Sequence, residues 1–329
     1  MTETYLDNLR RGLHAAMVSD ERVVAIGEDI LDPYGGAFKA TRGLSTAFPT
    51  RVLTTPISEG AITGLANGMA LRGMRPVVEI MFGDFITLCV DQIVNHAAKF
   101  VGMYDGQVTV PLVIRTPMGG GRGYGPTHSQ SLERLFLGFP ELSIVAPSLY
   151  HEPGRLLQQA IADERPVLFV EHKLLYPARL AQAEETLADG SAYPTAVVRN
   201  HSRDERADVV FVSYGGCSLQ VQRVLTALAD EEIRATAFFP SLLASPTPAF
   251  LDAVVAASKR IVLVEDGYWR FGWTAELAAS LVEHAGASGG LRIARAGARG
   301  SVIPANKALE REILVSAERL AQAVASLLN

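Results

Sequence analysis

Short apolar runs of strand type alternate with stretches that carry apolar residues at helical spacing. In the first half of the chain this pattern predicts strands over 23–26, 76–80, 110–114, 142–145 and 167–170, and helices over 61–71, 85–101 and 152–162. Such alternation is typical of parallel strands that are joined by helical crossovers. The sequence therefore predicts an open, mainly parallel α/β sheet.

The segment 177–208 interrupts this pattern, because it is polar and has no clear period. After it, the pattern predicts strands over 209–212, 235–239, 261–264 and 291–294, with helices over 219–229, 250–257, 274–284 and 317–328. We therefore expect two α/β domains with open, mainly parallel sheets, over 1–180 and 208–329, and a linker over 181–207. A length of 329 residues agrees with two domains.

Composition narrows the class of protein. The chain is 48% hydrophobic and 20% charged, and its net charge of −5 offers no basic surface for nucleic acid or an anionic membrane. The two cysteines, Cys89 and Cys217, have no cysteine or histidine neighbour at metal-ligand spacing. Residues 1–20 lack the apolar core of a signal peptide, and no apolar run reaches the ~18 residues of a membrane span. We expect a reduced, cytoplasmic protein without a nucleic-acid or membrane partner.

One carboxylate lies at a predicted strand-to-helix junction. The run Thr55-Pro56-Ile57-Ser58-Glu59-Gly60 follows a short strand over 51–54 and precedes the helix over 61–71. Glu59 would lie in the first helical turn, where free backbone N–H groups favour a negative charge. Taken alone, such a residue is more often a helix-capping carboxylate than a functional one.

Three segments follow predicted strands directly, and ligands of open α/β sheets gather at that end of the strands. They are Gly27-Glu28-Asp29, the Glu59 junction and the glycine-rich loop Gly119-Gly120-Gly121-Arg122-Gly123-Tyr124-Gly125-Pro126. The loop contains neither the dinucleotide fingerprint G-x-G-x-x-G nor a P-loop, so nicotinamide, flavin and nucleoside triphosphate are poorly supported. We expect the three segments to share one site.

Two further side chains have both a functional and a structural interpretation. His128 follows the glycine-rich loop and suits a substrate-facing acid/base role, or it is a surface histidine beside an N-capping serine. Phe85 follows the strand over 76–80 and could stack on a heteroaromatic ring, although a core aromatic is commoner.

Motifs in one consistent order along nearly the whole chain carry a resemblance to a known family. They are Gly27-Glu28-Asp29, Gly35-Gly36-Ala37-Phe38, Thr55-Pro56-Ile57-Ser58-Glu59, Arg75-Pro76-Val77-Val78-Glu79, Asp84-Phe85, Asp91-Gln92-Ile93-Val94-Asn95, Ala97-Ala98-Lys99, His128-Ser129-Gln130-Ser131, Arg165-Pro166-Val167, Glu171-His172-Lys173-Leu174-Leu175-Tyr176, Glu265-Asp266-Gly267-Tyr268-Trp269-Arg270-Phe271-Gly272 and Ile303-Pro304. The chain resembles the β subunit of the thiamine-diphosphate-dependent decarboxylating component of 2-oxo acid dehydrogenase complexes. Pyruvate, branched-chain and acetoin dehydrogenases share this subunit.

The resemblance implies a transketolase-type pyrimidine-binding domain followed by a transketolase C-terminal domain. It implies that Glu28, Ile57, Glu59 and Phe85 bind thiamine diphosphate, with Glu59 hydrogen-bonded to a ring nitrogen of the aminopyrimidine and Phe85 stacked on that ring. This hydrogen bond would favour the imino tautomer that removes the thiazolium proton, and the cofactor would be the electron sink when a 2-oxo acid loses carbon dioxide. His128 would lie beside the substrate and guide the decarboxylated intermediate. Glu28 would belong to an acidic relay that links paired active sites.

The resemblance also implies a partner. The family's α subunit carries G-D-G followed by an asparagine, which binds Mg²⁺ and the diphosphate, whereas here Gly83-Asp84 is followed by Phe85. The chain is therefore expected to supply half of the cofactor site in an α₂β₂ heterotetramer and to bind no metal through its own side chains. A lipoyl acyltransferase partner and a structural potassium ion on backbone carbonyls near 160–166 are implied by the family alone.

Departures from the family pattern leave three hypotheses open. Gly138 stands where the family usually carries a histidine, and the segments 148–153 and 238–243 are also changed. The first hypothesis is an oxidoreductase subunit that decarboxylates a 2-oxo acid such as pyruvate and passes the acyl group to a lipoyl carrier. The second is a split transketolase-like or acyloin-forming carboligase, and the third is a non-catalytic scaffold. Retention of Glu59 and His128 argues against the scaffold.

Overall fold

The protein is described by a computed structural model over residues 3–286, 289–300 and 302–329. The chain divides into two compact units. The first comprises 1–118, 135–145 and 152–180, and the second comprises 119–134, 146–151 and 181–329. Within the described residues, none of the helices is both long enough and apolar enough to cross a membrane.

The first unit contains six parallel strands in the order β2-β1-β3-β4-β6-β5. Its elements are α1 (Tyr5–Ser19), β1 (Val23–Gly27), α2 (Leu44–Ala47), β2 (Val52–Thr54), α3 (Glu59–Leu71), β3 (Arg75–Glu79), α4 (Phe100–Met103), β4 (Val113–Met118), β5 (Ser143–Val145), α5 (Pro153–Ala162) and β6 (Val167–His172). Every residue of β1, β3, β4, β5 and β6 is buried. Burial is continuous along these strands because a parallel sheet is covered on both faces.

The single helix predicted over 85–101 is wrong. The structure has a 3₁₀ helix over Gly83–Cys89, a π-helical segment over Gln92–Ala97 and then α4. The 3₁₀ helix narrows the turn, with Phe85 N donating to Phe82 O, and the π segment widens it, with Ala98 N donating to Ile93 O. Ile86, Cys89, Ile93 and Ala97 are all buried, and their spacing of three and four residues is the same as on one face of a regular helix.

The second unit has a six-stranded sheet in the order β12-β11-β9-β10-β8-β7. Its elements are β7 (Glu185–Leu187), β8 (Thr195–Arg199), β9 (Val209–Ser213), α6 (Ser218–Asp230), β10 (Ala235–Pro240), α7 (Pro248–Ala257), β11 (Arg260–Tyr268), α8 (Trp273–Ala285), β12 (Arg292–Ala298), α9 (Lys307–Ile313) and α10 (Ala317–Leu328). The strands β9 to β12 are parallel, whereas β8 is antiparallel to both β10 and β7.

The segment 181–207 therefore contains two strands of the second sheet. β7 has no fully buried residue and β8 is buried only in its first three residues, so neither shows a continuous apolar run. β7 is the edge strand and β8 lies next to it, and both mix polar and apolar positions, which is why the sequence pattern indicates an irregular segment here. The domain bounds 1–180 and 208–329 stay predictions.

Candidate active site

The backbone brings Glu28 to the start of α3. β1 and β2 are parallel neighbours, and Thr55 N donates to Gly27 O at 3.1 Å, which extends their pairing past the end of β2. One residue beyond β1, the Glu28 carboxylate accepts a hydrogen bond from the backbone N–H of Ser58 at 3.2 Å. The segment Gly27-Glu28-Asp29 after β1 and the start of α3 after β2 therefore meet at one corner of the sheet.

Glu59 is the first residue of α3 and is only 6% exposed. A carboxylate at this position is stabilised by the partial positive charge of the helix N-terminus. Glu59 accepts no side-chain hydrogen bond from any residue that the structure describes, and the hydroxyl of Thr63 bonds to its backbone oxygen instead. Its carboxylate is therefore available to an outside donor, unlike that of a helix cap.

The electrostatics of this corner are dominated by two acidic groups. Burial raises the pKa of Glu28, the nearby Glu59 carboxylate raises it further, and the Ser58 N–H acts in the opposite direction. Burial also raises the pKa of the Cys89 thiol to about 11, and the charges of Glu59 and Glu28 contribute to this increase. Cys89 is thus a neutral thiol near pH 7 and not a nucleophile.

Apolar and aromatic side chains lie on the same segments as these carboxylates. Ile57 is 84% exposed two residues before Glu59. Phe85 is half-buried on the 3₁₀ helix that packs against α3, and its ring makes an edge contact with Phe82, with ring centroids 5.9 Å apart. We name Glu28, Ser58 and Glu59, together with the exposed Ile57, the Glu59 corner.

A buried ionic cluster in the first unit was not anticipated from the sequence. Arg115 forms two hydrogen bonds with Glu171, at 2.7 and 2.6 Å, and also pairs with Glu79. The hydroxyl of Tyr176 donates to Glu171 at 2.6 Å. Burial raises the pKa of Glu79, and the Arg115 charge opposes this rise. The signal available in the sequence was a charged residue inside each of three apolar strands.

His128 belongs to the second unit. Its backbone N–H donates to Gly125 O at 3.3 Å, and its Nδ1 lies 3.0 Å from the hydroxyl of Thr127. The next residue, Ser129, is 1% exposed, and its hydroxyl has no hydrogen-bond partner among the described residues. The half-buried His128 ring is thus held on a loop whose following residue is packed inside.

The structure thus brings Glu28 and Glu59 together in the first unit, with Ile57 on the same segment and Phe85 on the neighbouring 3₁₀ helix. His128 lies in the second unit. Among the residues that the structure describes, no group of three or more histidine, cysteine, aspartate or glutamate residues could hold a metal ion.

Two family models match the chain and define its class. The transketolase pyrimidine-binding domain matches residues 4–179, and the transketolase C-terminal domain matches residues 200–320. A solved split-gene transketolase, described as an inactive β₄ tetramer, superimposes with a TM-score of 0.75 over 100% of this chain and 99% of that chain, at 17% identity. The fold is therefore that of a transketolase-type chain with two domains.

Curated relatives narrow this class. The β-1 subunit of the mitochondrial pyruvate dehydrogenase E1 component of Arabidopsis thaliana is 34% identical over 85% of this chain and 77% of its own length. The 2-oxoisovalerate dehydrogenase β subunit of Bacillus subtilis is 36% identical over 85% of this chain and 84% of its own length. The β subunit of acetoin:2,6-dichlorophenolindophenol oxidoreductase of Cupriavidus necator is 36% identical over 84% of this chain and 83% of its own length. The chain belongs to the family of β subunits of thiamine-diphosphate-dependent 2-oxo acid dehydrogenases.

Proposed function

We propose that this chain is the β subunit of an enzyme that decarboxylates a small 2-oxo acid and transfers the acyl group to a lipoyl carrier. The observation that supports this most directly is the Glu59 corner. Two carboxylates are buried side by side there, and neither forms an ion pair with a described residue. Such an arrangement is costly unless a ligand supplies hydrogen-bond donors.

The residues of the first unit fit the pyrimidine end of thiamine diphosphate. When bound, this cofactor supplies an electron sink for the carbon from which carbon dioxide leaves. Glu59 offers a buried carboxylate acceptor, at the N-terminus of α3, for a ring nitrogen that carries a proton. Ile57 offers an exposed apolar surface, and Phe85 offers an aromatic ring.

Glu28 and His128 have separate roles in this proposal. The raised pKa of Glu28 means that this carboxyl holds its proton more readily than a free glutamate, so it can exchange a proton with a neighbour. We assign it to a proton relay that starts at Glu59. We assign His128 to the substrate, where its imidazole can take an acid/base role.

The diphosphate end of the cofactor and its Mg²⁺ are assigned to a separate α subunit. The relatives are named as β subunits, and this chain lacks the sequence G-D-G followed by asparagine. An α₂β₂ heterotetramer follows as the proposed assembly. A lipoyl acyltransferase is the proposed acceptor partner.

The segment near 160–166, where the resemblance implies a potassium ion, is bound by the side chain of Arg75. Nη1 of Arg75 donates to the backbone oxygens of Ile161 at 2.8 Å and Asp163 at 3.2 Å, and Nη2 pairs with the Glu164 carboxylate. The Arg75 side chain is 10% exposed. Two carbonyls of this segment thus accept hydrogen bonds from Arg75, and the potassium ion stays a proposal that rests on the family resemblance.

An acyloin-forming carboligase is the second candidate function. The observation that favours it is Gly138, because the family usually has a histidine there and this side chain is missing from an exposed position. A Cβ built on Gly138 would meet no atom within 4 Å. The position is thus open, and an acceptor other than the lipoyl carrier could use it.

The deciding experiment reconstitutes the whole enzyme. This chain is co-expressed with the α-type chain that carries G-D-G and the asparagine, and thiamine diphosphate and Mg²⁺ are added. A panel of 2-oxo acids is then screened with an artificial electron acceptor, while acyloin products are measured in parallel. Reduction of the acceptor by one 2-oxo acid supports the dehydrogenase. Acyloin without acceptor reduction supports the carboligase. If neither acceptor reduction nor acyloin is detected, both proposals are contradicted.

A further inference from the structure

The loop that carries His128 is closed around a carboxylate from the far end of the chain. Glu310 Oε1 accepts a hydrogen bond from the backbone N–H of Gly121 at 2.8 Å, and Oε2 accepts one from Gly123 at 2.9 Å. Glu310 is 1% exposed. Two charge-assisted hydrogen bonds away from water are strong ones, so this carboxylate holds the middle of the loop.

Glycines allow the loop backbone to enclose the carboxylate. Gly121 and Gly123 have φ angles of 92° and 74°, which side chains with a Cβ rarely adopt. A Cβ on Gly123 would also lie 3.0 Å from the backbone oxygen of Ala305. The result is a concave row of N–H groups, which suits an anion. The glycine-rich loop is therefore an anion cradle whose anion is Glu310 itself.

Further hydrogen bonds fix the part of the loop beside His128. Gly119 N donates to Gln130 O at 3.1 Å, which closes the base of the loop. Immediately after it, the hydroxyl of Ser131 donates to the carboxylate of Asp266. The loop is thus tied at its base and in its middle, and His128 lies between these two points.

Glu310 is itself fixed by the ends of α9. Asn306 caps the helix and accepts from Ala308 N at 2.9 Å. At the other end, Arg319 Nη1 donates to the backbone oxygens of Ile313 and Leu314, at 3.1 and 2.8 Å. A side chain on a helix held at both ends can transmit a defined position to the loop.

We propose that Glu310 is a positioning residue for His128. Its carboxylate holds the 119–130 loop in the one shape that places the imidazole, and it does not touch the substrate. This inference rests on the proposed function, in which His128 acts beside the substrate. The bonds of Glu310 go to loop N–H groups and not to a strand, so its loss should release the loop and leave both sheets intact.

The test replaces Glu310 by glutamine in the full-length chain. The Glu310→Gln variant keeps the size of the side chain but turns an NH₂ group toward one of the two N–H donors, so at least one bond is lost. Trypsin cleavage after Arg122, inside the loop, reports loop release without any need for activity. We expect cleavage at least about tenfold faster, and a fall in kcat of the assembled enzyme on the order of tenfold to a hundredfold. Glu312→Gln, at an exposed position of the same helix, is the matched control and should change neither.

Several outcomes would overturn the inference. Equal cleavage at Arg122 in the wild type and Glu310→Gln would show that the carboxylate does not hold the loop. If Glu310 acts through His128, the double variant Glu310→Gln/His128→Ala should turn over no more slowly than His128→Ala alone, and a further drop contradicts this. Should Glu310→Gln fail to fold, Glu310→Asp retracts the same charge by one methylene and is expected to shift both readouts in the same direction.

The failure of the proposed function is distinguishable from the failure of this inference. Full turnover in His128→Ala would remove the assigned role of His128 and leave the protease result at Arg122 unaffected. An unchanged protease result would remove the role of Glu310 alone.

Discussion

Two groups of buried carboxylates in the first unit have opposite electrostatic surroundings. Glu79 and Glu171 share the guanidinium of Arg115, which donates to both. In the Glu59 corner, the described part of the chain offers the carboxylates of Glu28 and Glu59 only the Ser58 N–H and the N-terminus of α3. The first group is balanced by its own cation and can serve the fold alone. Burial of a carboxylate does not by itself identify a site, because a buried carboxylate that has its own cation can serve the fold alone.

The largest effect is expected from removing the shared cation. Arg115→Met leaves two buried carboxylates without their cation, which costs about 3–5 kcal/mol of the free energy of unfolding. Urea unfolding followed by circular dichroism measures this loss. Arg72→Met, at the exposed end of α3, is the control and should stay within about 0.5 kcal/mol of the wild type. Equal stability of Arg115→Met and the wild type would show that Arg115 does not stabilise the buried Glu79 and Glu171.

The second effect is on turnover and not on stability. Glu59→Gln keeps the shape of the side chain but removes the charged acceptor, so the turnover of the assembled enzyme should fall by at least about a hundredfold. Its melting temperature should not fall, because no side-chain hydrogen bond to a described residue is lost and one of two neighbouring like charges is removed.

Glu21→Gln, at an exposed position of the same unit, is the matched control for Glu59→Gln. It should retain the turnover and the melting temperature of the wild type. A Glu59→Gln enzyme with full turnover would contradict the proposed role of the Glu59 corner.

A smaller effect should appear in the dependence of stability on pH. The pKa of Glu28 is raised in the folded state, so its contribution to stability is fully present below the ordinary glutamate pKa of 4.5 and is lost as pH rises through the folded pKa. Above that pH the ionised Glu28 and Glu59 repel each other. Glu28→Gln should therefore gain stability relative to the wild type as pH increases, which melting curves between pH 4 and 8 would reveal. Parallel curves would show that the two carboxylates do not interact.

The smallest effect on stability is expected at Gly138. A side chain there meets open space, so Gly138→His should change the free energy of unfolding by less than about 0.5 kcal/mol. If the missing histidine separates the two candidate functions, this variant should shift product from acyloin toward acceptor reduction. A loss of several degrees in melting temperature would mean that the position is not open.

The helices and strands could be predicted where one hydrophobic period runs along the whole element. β1 is a continuous apolar run, and its observed bounds, Val23–Gly27, differ by one residue from the prediction. The helix predicted over 61–71 is α3, which begins two residues earlier at Glu59. The 85–101 prediction failed because side-chain spacing alone does not reveal a change of helical pitch.

Of the contacts at the candidate site, some could likewise be predicted from the sequence and others could not. The meeting of Glu28 with the start of α3 could be expected, because both segments follow parallel strands. The ion pairs of Arg115 could not, since they depend on the register of β4 against β3 and β6. Nor could the bond from Gly121 to Glu310 be predicted, because no local pattern links residues 189 positions apart.

That separation has a consequence for the newly made chain. At a synthesis rate of roughly 5–20 residues per second, Glu310 follows Gly121 out of the ribosome's catalytic centre after about 10–40 s. The sheet of the first unit ends at His172 and can form well before then. A nascent chain can therefore complete the Glu59 corner early and closes the His128 loop only after Glu310 has been made. A prematurely terminated chain would carry the first and lack the second.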